Sequence, residues 1–127
     1  MIPPEAPVRP FWVLLVQRGA PDALYEAAAM TAAAVSLGID VTVIWFDGAL
    51  EALASGRLAQ DEGETGHAGR LLAEAREAGH GVRFLACSAS MVNRRIDREA
   101  VAGCVDDVVG WPTAIALIRS AERSFVW

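Results

Sequence analysis

The sequence predicts an α/β protein: a three-layer α/β/α sandwich on a mainly parallel sheet of about five strands. Three observations carry that reading. Short segments rich in β-branched and aromatic residues recur through the 127 residues. Stretches of helical composition separate them, and parallel strands joined by helices must cross over with one hand, which lays the helices on the faces of the sheet. The length suits a single domain with one core, expected over residues 11–127, preceded by a proline-rich arm at 1–10.

The elements follow in order. MIPPEAPVRP, with its four prolines, reads as an extended arm. FWVLLV (Phe11 to Val16) is a continuous apolar run, the pattern of a strand buried on both faces. A turn, QRGAPD, leads to a helix that starts at Pro21 or Asp22 and stops at Gly38. Its Ala-rich body is apolar around several faces and predicts cover on more than one side. IDVTVIWF (Ile39 to Phe46) is the second strand, and ALEALASG adds one or two helical turns. The polar, glycine-rich segment from Arg57 to Gly69 is expected to be a mobile loop. LLAEAREAG reads as an amphipathic helix with Leu71, Leu72, Ala75 and Ala78 inward. VRFLAC (Val82 to Cys87) is strand three, short helices follow in SASMVNRRIDREAVAG, and VDDVVG (Val105 to Gly110) is a short fourth strand. Pro112 opens a last helix, and SFVW closes the chain as a fifth strand.

Composition removes several function classes. Apolar residues make up 54% and charged residues 21%, so the chain is not mainly disordered. Net charge is −5 with no long basic face, which argues against nucleic acid as a partner. All 11 basic residues are Arg, so lysine Schiff-base chemistry is out. No apolar run approaches the roughly 20 residues of a membrane span, and no secretory signal pattern opens the chain. A cytoplasmic protein with two free thiols is the expectation.

In an open parallel sheet the active crevice lies outside the carboxyl ends of the strands. The residues there are Arg18-Gly19-Ala20, Asp47-Gly48, Cys87-Ser88-Ala89-Ser90 and Gly110-Trp111. If Cys87 ends a strand and Ser88, Ala89 and Ser90 turn into a helix, free backbone N–H groups point back toward the sulfur and favour an anion. Arg94 and Arg95 either add positive potential or stand as a solvated surface pair. A thiolate is the reactive form of cysteine, so a nucleophilic or sulfur-carrying role is open. So is the plainer one, a small buried hydrophobe.

Other chemistries fit less well. Cysteine phosphatases and rhodaneses return an Arg six positions after the Cys, whereas position 93 is Asn. A Cys–His pair has only His67 and His80 to draw on, both in polar, glycine-rich surroundings. Cys104, before strand four, reads as a packing residue toward the opposite edge of the sheet. Two distant cysteines and two isolated histidines make no zinc set, so no metal is expected. G-x-G-x-x-G and G-x-x-x-x-G-K are both missing. Asp47 and Asp106-Asp107 suggest a phospho-acceptor pocket, but the lysine that such a receiver needs is lacking, and a turn and a solvated strand start are preferred.

The order of segments FWVLLVQRGAPD, LGIDVTVIWFDGAL, GVRFLACSASM and VDDVVGWPTAIALIRSAERSFVW resembles the DsrE/DsrF/TusD-like family of small sulfur-metabolism proteins, from about Phe11 to Trp127. The resemblance implies an α/β/α domain that assembles into a homo-oligomer, a trimer or hexamer. It also implies a sulfur carrier or sulfurtransferase whose catalytic cysteine, at the end of the third strand, is Cys87. That residue would receive sulfur from a persulfide donor protein and yield it to a thiol acceptor protein, with no metal or organic cofactor. Ser88, Ala89, Ser90, Gly19, Asp47 and Arg94 are the candidate binding residues around it. Relay members often carry Arg-Arg-Gly after the cysteine segment; here Asn93-Arg94-Arg95-Ile96 is shifted and lacks the glycine. Two further readings stand beside the carrier: a non-catalytic binding or assembly protein of the same family with a packed cysteine, and a thiol redox sensor.

Overall fold

The computed structural model describes residues 9–60, 62–78 and 81–127. The chain runs β1 (Phe11–Val16), α1 (Pro21–Ser36), β2 (Asp40–Trp45), α2 (Asp47–Ala54), α3 (Arg57–Gln60), α4 (Gly63–Ala78), β3 (Val82–Cys87), α5 (Ser88–Arg94), α6 (Arg98–Val101), β4 (Asp107–Val109), α7 (Trp111–Ser120) and β5 (Arg123–Val126). All strand pairs are parallel, in the order β4-β3-β2-β1-β5. The first four strands step in one direction, and β5 returns to the far side of β1. With right-handed crossovers, that reversal sends α7 to the face opposite α1–α6.

Two cores result. Leu14 and Val16 of β1, Val43 and Trp45 of β2, and Phe84 and Ala86 of β3 pack under α1–α6, with Leu24, Leu50, Leu58 and Leu72. Their neighbours in the pleat, Val13, Leu15, Ile44, Leu85 and Cys87, face the other way and meet α7 at Ala114, Leu117 and Ile118. Two-sided burial is why these strands read as unbroken apolar runs. Among the described residues no helix is long and apolar enough to cross a membrane.

Most boundaries match the sequence reading, and the exceptions have physical causes. Helix α1 ends as expected before Gly38, whose φ of +79° lets the chain turn and lets the Gly38 and Ile39 amides donate to the Val35 and Ala34 carbonyls. Its outer side is open, with Leu37 just past the helix end 77% exposed, so cover on several sides is not found among the described residues. Strand β4 is shorter than VDDVVG because Asp106 pairs with β3 partly through its side chain. Its amide donates to the Phe84 carbonyl, and its Oδ2 accepts the Phe84 N–H at 2.8 Å.

The largest correction concerns residues 57–69. They are not a mobile loop: α3 and the first turns of α4 occupy most of the segment, and Asp61 lies outside the described residues. Glycines there serve packing. A Cβ on Gly69 would fall 1.8 Å from the Leu58 carbonyl oxygen, so α3 and α4 touch at a distance only glycine permits. Thr65, Gly66 and Ala68 are buried beside it. Further along α4, Leu72 and Ala75 are buried as expected, whereas Ala78 is exposed at the helix end.

Candidate functional site

At the carboxyl edge of the sheet, the loops after β1 and β2 close on each other. A Cβ on Gly19 would meet the Gly48 carbonyl oxygen at 2.4 Å, and the Ala49 amide donates to the Gln17 carbonyl at 3.0 Å. Asp47, the first residue of α2, holds a positive φ of 41°, uncommon for a residue with a side chain. Its Oδ1 accepts the Ser90 hydroxyl at 3.3 Å, and Ser90 is buried. The start of α5 is thereby tied to the start of α2. The Arg57 guanidinium reaches the Gly19 carbonyl at 3.5 Å.

Cys87 is the last residue of β3, in register with Val109 of β4, and its extended backbone (φ −75°, ψ 119°) caps α5. The side chain faces α7. It is 2% exposed and belongs to the smaller core, with Phe46, Leu85 and Ala114 as the other buried members near this edge. Val109 leads through Gly110 to Trp111, whose ring stacks on Phe46 at 5.1 Å and 30°. Trp111 is 46% exposed and Phe46 is buried, so the indole covers the edge of the core that holds the sulfur. Both thiols are free.

The predicted binding residues therefore split. Gly19, Asp47 and Ser90 come together by the contacts above. Ala89 packs on the core of Cys87. Ser88 lines a separate open cavity of about 360 Å³ between α5, α6 and β4, with Met91, Arg95, Arg98 and Val108. Arg94 is turned away: its Nη1 pairs with Glu51 Oε2 at 2.6 Å on the surface. Arg95, in the left-handed conformation that ends α5, and Arg98 bring positive charge to the Ser88 cavity. Arg98 was not legible as a neighbour because only the turn at Arg95 folds α6 back toward α5.

The remaining singled-out residues lie elsewhere. Cys104 is half-buried before β4, at the opposite end of the sheet from Cys87, with Sγ 3.9 Å from the Leu53 and Ala100 carbonyl oxygens. Asp106 is no mere solvated strand start: it bonds the Phe84 amide and pairs with Arg76 at 3.1 Å. Asp107 accepts its neighbour Val108's amide. His67 sits on α4 with its ring 5.2 Å from Tyr25 of α1; His80 lies outside the described residues. No three His, Cys, Asp or Glu side chains cluster among the described residues.

Comparison with known proteins agrees with this architecture. The model of the DsrE/DsrF-like family matches residues 12–127. No curated protein matches the sequence. Among solved structures, the ychN protein from E. coli is similar with a TM-score of 0.66 at 12% identity, over 94% of this chain and 100% of that one. A protein of unknown function, MTH1491 from Methanobacterium thermoautotrophicum, is similar with a TM-score of 0.66 at 15% identity, over 91% of this chain and 98% of that one. At these identities the likeness to the two structures is one of fold.

Proposed function

The chain belongs to the DsrE/DsrF-like family, and from that premise we propose that it is a small sulfur carrier acting through Cys87. The observation that carries the reading is the place of this thiol: the end of β3, capping α5, at the carboxyl edge where parallel sheets present their chemistry. In the proposed step the Cys87 thiolate attacks the terminal sulfur of a donor persulfide. The donor's S–S bond breaks, the donor leaves as a thiolate, and Cys87 holds Cys–S–SH. Attack by an acceptor thiolate on that outer sulfur returns Cys87 to the thiolate. Donor and acceptor are protein thiols met in a reducing compartment such as the cytoplasm, and the carrier works as a homo-oligomer, a trimer or hexamer.

Exchange at a sulfur that is 2% exposed requires a local opening of the edge. Trp111 is the side chain placed to move: it is the half-exposed partner of the Phe46 stack and follows the short strand β4.

A second reading has an observation in its favour. The burial of Cys87 suits a non-catalytic binding or assembly protein in which the cysteine only packs. Incubation with a low-molecular-weight persulfide followed by mass spectrometry decides between them. The carrier gives a sulfur adduct that disappears in Cys87→Ser and persists in Cys104→Ser. If no adduct forms on Cys87 at any donor level, even in Trp111→Ala, the packed-cysteine reading stands. A reversible disulfide or sulfenate without transfer to an acceptor thiol indicates a redox sensor instead.

A further inference from the structure

We propose that the open cavity lined by α2, α3, α4 and the α6–β4 connection binds a small amphipathic carboxylate, an apolar chain or ring carrying one anionic head. The cavity measures about 520 Å³, within the range of small-ligand pockets. It lies under the opposite face of the sheet from Cys87, so the proposal does not rest on the sulfur-carrier reading.

Its walls are apolar: Leu53, Leu58, Leu72 and the ring of Phe84. Glycines also line it, Gly66 and Gly69 on α4 and Gly103 before β4. Gly69 is fixed by its contact with the Leu58 carbonyl, while a Cβ on Gly103 would meet no atom within 4 Å. Apolar walls alone would accept any apolar body; charge narrows the choice.

Arg70, Ala73 and Arg76 recur at three-residue spacing on α4 and all line the cavity. The Arg76 guanidinium lies 4.3 Å over the Phe84 ring and is already paired with Asp106. Arg70 makes no ion pair with any described residue. On a chain of net charge −5, an unpaired guanidinium at the rim of an apolar cavity is complementary to a carboxylate head whose body lies against Leu58 and Phe84. Cys104, half-buried in the same wall, supplies a built-in reporter.

Sodium octanoate and 1-octanol, which share a tail and differ in the head, make the test. Calorimetric titration of the full chain carrying Cys87→Ser is expected to show saturable octanoate binding at least fivefold tighter than octanol. Saturating octanoate should slow iodoacetamide labelling of Cys104 severalfold. Gly103→Phe, which enters open space, should weaken octanoate binding at least tenfold while leaving the circular dichroism spectrum intact. Arg70→Gln should bring octanoate down to the affinity of octanol. The proposal is overturned if octanoate does not bind at millimolar concentration or if octanol binds equally well to the unsubstituted cavity. Undiminished binding to Gly103→Phe, or binding that leaves Cys104 labelling unchanged, likewise overturns it by placing the ligand elsewhere. Because Cys87 is absent from every protein used, failure here leaves the sulfur-carrier reading untouched.

Discussion

Trp111 lies flat on Phe46, ring centroids 5.1 Å apart, at the edge of the core that buries the Cys87 sulfur. Such a stack contributes about 0.5–1.5 kcal/mol beyond its buried area. Trp111→Ala removes the half-exposed member and leaves the buried one in place. The expected result is a modest loss of stability, about 1 kcal/mol, and a rise in the population of states in which the edge is open. Alkylation of Cys87, followed by site-resolved mass spectrometry, should become roughly five- to tenfold faster by that same energy, while Cys104 reacts at its former rate. Equal acceleration at both thiols would mean global unfolding and would remove Trp111 as the specific cover.

The Gly19–Gly48 contact makes a separate prediction about the frame of the carboxyl edge. A Cβ at 19 would lie 2.4 Å from a backbone oxygen, which cannot swing aside as a flexible side chain can. Gly19→Ala should therefore cost roughly 1–3 kcal/mol, the range for forcing atoms into a packed site. Gly103→Ala, with open space around the new methyl, is the matched control and should change the thermal midpoint little. A Gly19→Ala protein as stable as the control would show that the two loops separate freely.

How far the sequence discloses this molecule depends on the range of the forces involved. FWVLLV and VRFLAC announce strands at their true limits because burial on both faces leaves an unbroken apolar run. Gly38 announces the end of α1 because a positive φ is a local requirement. The glycines at 66 and 69 mislead, since intrinsic preference reads them as loop, whereas both lie inside α4 and the one at 69 is there because the Leu58 carbonyl of α3 leaves no room for a side chain. The candidate site divides the same way. That Cys87 ends a central strand is legible; that its side chain lies beneath α7 is not. That face is settled by where the last helix crosses the sheet, and the order of β5 settles the crossing. Arg94 looks like a neighbour of Cys87 from spacing alone, yet Glu51 of α2 draws it outward.

Asp106 joins two layers through one carboxylate, accepting the Phe84 amide at 2.8 Å and the Arg76 guanidinium at 3.1 Å. The ion pair is partly exposed and contributes little by itself, at most about 1 kcal/mol. The amide contact matters more, because the Phe84 N–H lies where the ladder of β3 would otherwise end without a partner. Asp106→Asn keeps an acceptor and should lose less than about 1 kcal/mol. Asp106→Ala removes both contacts and should lose about 1–3 kcal/mol. Denaturant midpoints of the two variants check the order; equal losses would assign the effect to charge and not to the amide.

The outer surface predicts association. A groove of about 540 Å³ runs along α1 between Trp12, Tyr25, Met30 and Trp127, and Leu37 at its end is 77% exposed. Strand β5 is a sheet edge with Val126 63% exposed, and an edge with apolar side chains invites another chain. Trp12 and Trp127 donate hydrogen bonds to Glu122 at 3.4 Å and to Glu26 at 3.2 Å, which restrains the two rings and lowers the entropy lost when they dock. Light scattering at micromolar concentration is expected to give a multiple of the 13.5 kDa chain, three or six copies on the family reading. Charge placed on the apolar surface should dissociate it: Leu37→Glu and Val126→Glu together are expected to weaken assembly at least a hundredfold, roughly 3 kcal/mol, without disturbing the spectrum of the folded chain. A clean monomer for the unsubstituted protein at that concentration rejects the prediction, and assembly that persists in the double variant moves the interface to α7, where Trp111 and Ile115 are exposed.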